Sequence, residues 1–228
     1  MSTLTPNDFS TIARTNVFGE LKREILRRIL ASARIVRIAK RQVLYRQGDA
    51  ATDFYIILRG GIKLYQGTAA GHEAVIDVLT KGDALAIADA LNRSPHNATA
   101  EAISNSRLAR IPVDQLICCV KEMPDVAFGV LSAVSEHSHK LMRQIAQLKS
   151  QSAERRLAEY IASLCSAAGG SDVISLPYNK VLIAGQLGIT PESLSRAFAS
   201  LRSIGIAVKE TNVQIGDVNR LREFISEA

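Results

Sequence analysis

The sequence IAGQLGITPESLSRAFASLRSIG, residues 183–205, predicts two helices joined by a tight turn. Gly188 supplies the turn, because glycine readily adopts the positive φ that such a turn needs. Thr190 is a suitable N-cap for the second helix. Pro191 falls at its first position, where the missing N–H has no helical partner to lose. Gly205 ends this helix, so we expect it over residues 191–204.

The second helix has one apolar and one polar face. Its apolar residues recur at intervals of three and four positions: Leu194, Ala197, Phe198, Leu201 and Ile204. The opposite face carries Glu192, Arg196, Ala199 and Ser203, with Ser195 at its edge. Such a helix can lie in a DNA major groove, where arginine donates to guanine and glutamate accepts from the cytosine amine. A helical hairpin with a solvated polar face is the alternative interpretation.

A short β-hairpin is predicted after the second helix. The run IAVKETNVQIG, residues 206–216, has two β-prone segments around a polar turn at 210–212. A helix-turn-helix followed by a hairpin is the winged-helix arrangement, which favours DNA binding. The predicted DNA contacts are Glu192, Ser193, Ser195, Arg196 and Arg202 on the reading helix, with Lys180 and Lys209 holding phosphates on either side of it.

Composition excludes several classes of protein. The 228-residue chain is long enough for one large or two modest domains. It has no apolar run approaching membrane-spanning length and no basic-then-apolar N-terminus, so we expect no membrane span, no secretory signal and a cytoplasmic location. The three cysteines, which include the adjacent Cys118 and Cys119, form no CxxC pattern, and we expect no metal site. Because no nucleophile-and-base motif or phosphate loop is present, we expect that the chain is not an enzyme.

The formal net charge of +6 lies outside the predicted DNA-binding region. From Ser150 onward the chain has eight Lys or Arg residues and eight Asp or Glu residues, so the whole excess precedes this position. The charge argument for DNA binding therefore depends on the local cations around the reading helix, since phosphate affinity follows local contacts.

The N-terminal half has the pattern of an antiparallel sandwich or barrel. Between residues 35 and 113, glycines at intervals of roughly ten residues separate short β-prone runs. These runs are VLYRQG, FYIILRG, IKLYQG, AVIDVL and SRLARIPV.

Residues 122–148 predict one long helix, since glycine and proline occur only near its start. A near-heptad seam runs along it: Val126, Val130, Val134, His137, Leu141, Ile145 and Leu148. A helix of about 25 residues is roughly 37 Å long, which is too long for one small sandwich to bury, so we expect it to pair with its twin. Packing on its own domain alone is the alternative. Another helix is expected from about Ser152 to the Gly169-Gly170 loop.

This order of elements resembles the Crp/Fnr superfamily, that of the cyclic-AMP receptor protein and the fumarate and nitrate reduction regulator. The resemblance spans roughly residues 15–225. It is carried by the turn Gln47-Gly48-Asp49 with the following FYIILRG, by the helix start SAERRLA at 152–158, and by the reading helix. It implies an α+β homodimer with a cyclic-nucleotide-binding-like β-roll sensor (1–120), a dimerisation helix (121–150) and a winged helix-turn-helix (151–228). Its implied partners are double-stranded DNA and RNA polymerase.

The reading helix is most similar to the fumarate and nitrate reduction branch. The pattern Glu192-x-x-Ser195-Arg196 matches that branch, and Pro191 stands where the cyclic-AMP receptor branch has an arginine. The resemblance implies palindromic sites with TTGAT-like half-sites. Within the branch, the chain looks closest to regulators of denitrification and the nitric oxide response.

The predicted effector pocket departs from the cyclic-nucleotide binders. In those proteins a glutamate binds the ribose and an arginine pairs with the cyclic phosphate. Alignment on Ala98-Thr99 puts Ala86 and His96 at these two positions, so we expect no cyclic-AMP binding. The degenerate pocket comprises Ala86, His96, Asn97 and Thr99. A cyclic-nucleotide-responsive regulator or regulatory module is therefore the alternative function.

Two other sensing mechanisms of the superfamily can be weighed from the sequence. The oxygen-sensing branch uses an N-terminal cysteine cluster for an iron–sulfur centre, and residues 1–117 contain no cysteine, so we expect no such cluster. Haem is left open, with His72, His96, His137 and His139 as the available histidines. The effector is thus a small molecule or a redox or gas signal of unknown identity.

Overall fold

The computed structural model describes residues 4–15, 17–19, 21–67, 73–123, 126–129, 131–132, 134–135, 138–139, 142, 151–209 and 211–227. The chain divides into two compact units, Met1–Lys140 and Leu141–Ala228. The division falls inside the predicted dimerisation helix, and the domain limits at 120 and 150 stay predictions. No helix in the described ranges is both long and apolar enough to cross a bilayer.

The first unit is built on two antiparallel four-stranded sheets, as the spacing of the β-prone runs predicts. The first sheet has the order β1-β8-β3-β6 and the second the order β2-β7-β4-β5. The strands are β1 Arg34–Ile38, β2 Val43–Tyr45, β3 Asp53–Arg59, β4 Gly61–Gly67, β5 Glu73–Thr80, β6 Ala84–Leu85, β7 Thr99–Ala102 and β8 Ser106–Pro112. Between the sheets lies a core that includes Tyr45, Tyr55, Ile57, Ile62 and Leu108.

Four short helices belong to this unit, and they cover the other face of the first sheet or close its loops. They are α1 Pro6–Ile12, α2 Arg23–Ile29, α3 Ile87–Asn92 and α4 Val113–Glu122. A second core, which includes Phe18, Phe54 and Leu116, fills the space between the sheet and the helices. Because both faces of β3 are covered, Asp53–Leu58 are all buried, and Phe54–Leu58 form a continuous apolar run.

The N-terminal helix α1 is attached to the first sheet by an ion pair. The Asp8 carboxylate accepts hydrogen bonds from both terminal nitrogens of Arg107 on β8, at 2.7 Å for Nη2. It also accepts from the Thr5 backbone N–H and hydroxyl, each at 2.7 Å. These hydrogen bonds, those from Arg107 first, hold the pKa of the Asp8 carboxyl well below its usual range.

In the region of the predicted long helix, every described residue from 126 to 142 is helical. One seam residue is wrongly predicted: Val126 is fully buried and packs in the core of its own unit. The seam residues Val130, His137, Leu141, Ile145 and Leu148 lie outside the described residues. The exposed apolar side chains here are Phe128, Leu131, Val134 and Met142.

The second unit is the predicted winged helix. Its helices are α5 Ala153–Ala167, α6 Lys180–Gln186, α7 Pro191–Leu201 and α8 Val218–Glu227, and its strands are β9 Val173–Ser175, β10 Ile206–Lys209 and β11 Asn212–Ile215. The hairpin β10-β11 gains a third strand, β9, which sequence reasoning did not predict. The last predicted turn of the reading helix is a 3-10 turn, Arg202–Ile204. Asn212 belongs to β11 rather than to the hairpin turn.

Candidate nucleic-acid interface

The two helices of the helix-turn-helix begin with side-chain caps. The Asn179 side chain accepts from the Leu182 backbone N–H at 3.0 Å, and the Thr190 hydroxyl accepts from that of Ser193 at 3.2 Å. Between the helices Gly188 has φ 63°, as the turn requires. Pro191 occupies the first helical position of α7. Local sequence therefore sets both helix starts and the turn between them.

An arginine that sequence reasoning missed stabilises the turn between α6 and α7. Arg156 on α5 donates from Nη1 to the backbone carbonyl of Leu187 at 2.6 Å. Leu187 is the C-cap of α6, where helical carbonyls lack intrahelical partners. The contact joins residues 31 positions apart, so local pattern alone gives no signal for it.

Helix α7 has a buried apolar face and an exposed polar face, as its periodicity predicts. Leu194, Ala197, Phe198 and Leu201 are buried against α5 and the strands. The polar side carries exposed Glu192, Ser195, Arg196, Ala199 and Ser203, and Arg202 is exposed in the turn that follows. The apolar face thus fixes the rotation of the helix, so that the polar side is turned to solvent.

The first turn of this polar face already has an ordered hydrogen-bond pattern. Arg196 Nη2 donates to the Ser193 hydroxyl at 3.2 Å, and Thr190 donates to the same hydroxyl at 3.2 Å. The Ser195 hydroxyl donates to the Pro191 carbonyl at 2.9 Å, which leaves its oxygen available as an acceptor. The pKa of Glu192 is lowered, first by its own backbone N–H and next by the Thr190 hydroxyl and Arg196. Glu192 is therefore an ionised acceptor.

The two predicted phosphate contacts outside α7 lie on the wing and at the start of α6. The backbone N–H of Leu176 donates to the Thr211 carbonyl at the tip of the wing at 2.7 Å, and Ser175 on β9 pairs with Asn212. Lys209 lies at the end of β10 beside this tip. Lys180 follows Leu176 by four residues and begins α6, where its Nζ lies 5.9 Å from the centre of the Phe198 ring. The unpredicted strand β9 thus joins the segment that precedes α6 to the wing.

The predicted effector-pocket residues of the first unit lie close together and are closed off. His96 is only 4% exposed, and its ring stacks on Tyr45 with centroids 3.6 Å apart. Asp89 on α3, which sequence reasoning missed, accepts from Asn97 Nδ2 at 2.8 Å and lies 3.5 Å from His96 Nδ1. Thr99 is buried and accepts from the Gln47 N–H at 3.0 Å. His96 and Thr99 are thus buried beside Tyr45 and Gln47, whereas Asn97 is exposed and bonds to Asp89.

The backbone and core around the pocket explain why it is closed. Ala86 has a left-handed conformation, φ 64°, at the N-cap of α3 and packs partly against the core between the sheets. The Tyr45 ring also stacks on Tyr55 with centroids 6.0 Å apart. Burial raises the pKa of Tyr45 well above its usual range, and the nearby negative charge of Asp89 adds to this. The space beside His96 is therefore occupied by aromatic side chains.

In this closed conformation His96 does not fit a haem group. A haem ligand must present a ring nitrogen to a space that holds a porphyrin, but the His96 ring is closed in by Tyr45 and its neighbours. His139 lies exposed on helical residues outside the roll. His72 and His137 lie outside the described residues.

Two domain families match the chain, one in each compact unit. Residues 35–122 match the cyclic nucleotide-binding domain, and residues 155–224 match the Crp-like helix-turn-helix domain. The first match contains the two sheets and the closed pocket. The second contains α6, α7 and the wing.

Several relatives match the chain over most of its length. The anaerobic regulatory protein of Haemophilus influenzae is 31% identical over 192 residues, which cover 82% of this chain and 74% of that protein. The fumarate and nitrate reduction regulatory protein of Escherichia coli is 27% identical over 192 residues, covering 82% and 76%. A solved structure from Silicibacter pomeroyi DSS-3, provisionally described as a cAMP-binding regulatory protein, has a TM-score of 0.67 and 30% identity, covering 97% and 99%.

Proposed function

The chain belongs to the Crp/Fnr family of transcription regulators, and on that premise we propose that it binds palindromic DNA with TTGAT-like half-sites as a homodimer. The observation that carries the proposal is the exposed face of α7, which presents Glu192, Ser195 and Arg196 on a helix whose other face is locked into the core. A signal sensed by the β-roll would control DNA binding. Because the role is in transcription, RNA polymerase would be a partner and the location would be the cytoplasm.

Each polar residue of α7 has a chemical role in this proposal. Arg196 donates to the guanine of the half-site, and ionised Glu192 accepts from a cytosine amine on the opposite strand. Ser195 contacts a neighbouring thymine or phosphate. Ser193 orients the Arg196 guanidinium through the hydrogen bond that the free protein already has. These contacts specify sequence, because they meet base edges.

The cations around α7 supply affinity rather than sequence preference. Lys180 at the start of α6 and Lys209 at the end of β10 contact phosphates. Arg202, which is exposed just beyond α7, contacts a phosphate further along the DNA. Phosphate contacts fix the register of the protein on the duplex and carry no sequence information directly.

Dimerisation would use the exposed apolar residues of the partly described helix. Phe128, Leu131, Val134 and Met142 have exposed fractions between 42% and 69%, which is unusual for large apolar side chains. Leu131 and Val134 continue in heptad spacing to Leu141, Ile145 and Leu148. A second copy of the same helix would cover this surface, and two winged helices would then face a two-fold symmetric site.

The test is a binding titration of the full chain at fixed salt on three duplexes. The first carries a TTGAT palindrome with half-site centres about one helical turn apart. The second has about half a turn inserted between the half-sites, and the third is scrambled. We expect tight binding only to the first, because a half-turn insertion moves one half-site to the far side of the duplex. Equal affinity for all three would contradict the proposal.

Sedimentation tests whether the protein is a dimer. We expect the unaltered protein to be a dimer at micromolar concentration, and Leu131→Asp to split it, since a charge would be buried at the seam. Ser132→Asp, at the adjacent exposed position, is the matched control and should remain dimeric. A monomeric unaltered protein would contradict the homodimer.

A further inference from the structure

Helix α5 contacts both parts of the helix-turn-helix, through two kinds of interaction. Its apolar residues Leu157 and Ile161 are fully buried in the core that also holds the apolar face of α7. One position before Leu157, Arg156 donates from Nη1 to the carbonyl of Leu187, the C-cap of α6, at 2.6 Å. Apolar packing has no preferred direction, whereas a hydrogen bond weakens steeply when its angle changes. The Arg156 bond is therefore a directional contact between α5 and the turn.

Local backbone hydrogen bonds set the shape of the turn but do not use the Leu187 carbonyl. The backbone N–H groups of residues 187–189 all donate to carbonyls of α6, at 2.9 to 3.0 Å. The Leu187 carbonyl belongs to the acceptors that the end of a helix leaves without an intrahelical partner. Arg156 supplies its donor from a different helix. The local bonds thus shape the turn, and Arg156 fixes where the turn lies on α5.

The stability of the fold does not by itself account for an arginine at this position. Arg156 Nε is buried and has no hydrogen-bond partner within the part of the chain that the structure describes. The same holds for the Tyr160 hydroxyl, one turn further along α5, and for Oε1 of Gln186 in α6. Because a buried donor without a partner costs free energy, an apolar side chain of similar volume should fold about as well here. The arginine is explained if its bond to Leu187 serves to place the turn.

The position of the turn determines where α7 begins. Thr190, the N-cap of α7, follows Leu187 closely, and Glu192 and Arg196 come next on the exposed side. Contacts to base edges need side chains that are placed to within about 0.5 Å and 10 to 20°. A small movement of the turn therefore misaligns both of these side chains. Phosphate contacts by lysines on long flexible stems tolerate such a movement.

We propose that Arg156 is a positioning residue for DNA reading. Its hydrogen bond to Leu187 holds the start of α7 where Glu192 and Arg196 reach one base pair together. The inference rests on the proposed function, since it requires that α7 reads base edges. Arg156 thus contributes to sequence preference through the position of α7 and not through a contact of its own with DNA.

The experiment replaces Arg156 by methionine in the full chain, because methionine fills similar space but cannot donate a hydrogen bond. Titrations at fixed salt compare the TTGAT palindrome with a scrambled duplex of the same length. We expect binding to the palindrome to weaken at least about tenfold, the loss of one good base contact, and binding to the scrambled duplex to stay within about twofold. The midpoint of urea unfolding of the second unit should change little, whereas a merely structural role would lower it.

Two further single variants serve as rescue and control. Arg156→Lys keeps a charged donor for the Leu187 carbonyl, so it should regain most of the preference for the palindrome. Arg155→Met removes the same charge from the neighbouring position, where Nε donates to Glu159 of the same helix, and it should keep the full preference. Equal losses for Arg155→Met and Arg156→Met would show an effect of charge on α5 and would overturn the proposal.

A double variant shows whether Arg156 acts through the reading helix. Residues that act through one contact give losses that do not add. Arg156→Met should therefore weaken binding to the palindrome clearly less in an Arg196→Ala background than in the unaltered protein, because the contact of Arg196 is already gone. Equal factors in the two backgrounds would show that Arg156 acts independently of Arg196, which also overturns the proposal.

The outcomes separate this proposal from the function on which it rests. If the unaltered protein binds the palindrome no more tightly than the scrambled duplex, the proposed function fails. If it prefers the palindrome and Arg156→Met keeps that preference, Arg156 does not position α7. A loss by the same factor on both duplexes, with a lower urea midpoint, would assign Arg156 to folding alone and would likewise overturn the proposal.

Discussion

The DNA-facing side of the second unit and the pocket of the first differ in how their polar groups are used. On α7, Glu192 and Arg196 are exposed, and Arg196 donates to Ser193 of the same helix. In the first unit His96 is buried, with the Tyr45 ring stacked on its imidazole and the Asp89 carboxylate 3.5 Å from Nδ1. One site is therefore ready for its ligand in the free chain, whereas the other is closed.

This difference shows what each unit needs in order to act. A reading helix needs only a fixed orientation, which its apolar face and the cap on the turn supply. A sensor has to change state when an effector arrives, so its resting packing has to be stable and yet replaceable. The closed pocket around His96 is consistent with such a resting state.

The largest effect that would test the comparison is in the closed pocket. Tyr45→Ala should lower the free energy of unfolding of the first unit by about 3 to 5 kcal/mol, because a fully packed aromatic ring is lost. Tyr65→Ala, on β4 of the second sheet, is the control. It should lower the free energy of unfolding by about 1 kcal/mol through the lost contact with Lys63. Urea unfolding followed by circular dichroism measures both. Equal small losses would mean that Tyr45 does not close the pocket.

A second prediction concerns the pH dependence of the ion pair that attaches α1 to the first sheet. Asp8 has a folded pKa well below its usual range because Arg107 donates to it, so its contribution to stability is present above about pH 4 and is lost as the pH falls further. Asp8→Asn should cost about 1 to 3 kcal/mol at pH 7 and progressively less below pH 4.

Asp114→Asn is the control for this ion pair. Its pair with Arg93 is highly exposed, so the substitution should cost less than about 1 kcal/mol. A deficit of Asp8→Asn that is independent of pH would show that the carboxylate charge does not hold α1. Unfolding midpoints at several pH values measure the difference.

The smallest effect is expected at the wing. Lys209→Ala should weaken binding to specific and scrambled duplexes alike, and it should lower the salt slope by about 0.9 per protomer, because only a phosphate contact is lost. Lys121→Ala, an exposed lysine of the other unit, should change neither. A loss confined to the specific duplex would instead assign Lys209 to base reading.

The accuracy of prediction from sequence follows the range of the interactions involved. The turn at Gly188, the cap at Thr190 and the apolar stripe of α7 are set within a few residues, and all were predicted correctly. The Crp/Fnr resemblance was confirmed by the domain matches and by the relatives. Strand β9, the hydrogen bond from Arg156 to Leu187 and the stacking of Tyr45 on His96 depend on distant segments, and no periodicity signals them.

The long helix shows an intermediate case. Its helical character was predicted correctly for the described positions from 126 onward, but its start was wrong, because Glu122 ends α4 and Met123 is extended. The seam was also wrong at Val126, which packs in the core of its own unit. The exposed residues Leu131 and Val134 mark the side of the helix that its own unit does not cover. Which side this is depends on how the helix packs against the β-roll. Packing against the domain thus determines which residues of the helix stay exposed, and the amphipathic spacing alone does not.

The most direct test of DNA reading by α7 is the effect of Arg196→Ala on specificity. Titrations at fixed salt would compare the TTGAT palindrome with a scrambled duplex, with Ser200→Ala on the exposed side of the same helix as the control. The account predicts a loss of about 1 to 3 kcal/mol on the palindrome, little change on the scrambled duplex, and no change for Ser200→Ala. Equal losses on both duplexes for Arg196→Ala would show that this helix does not read sequence.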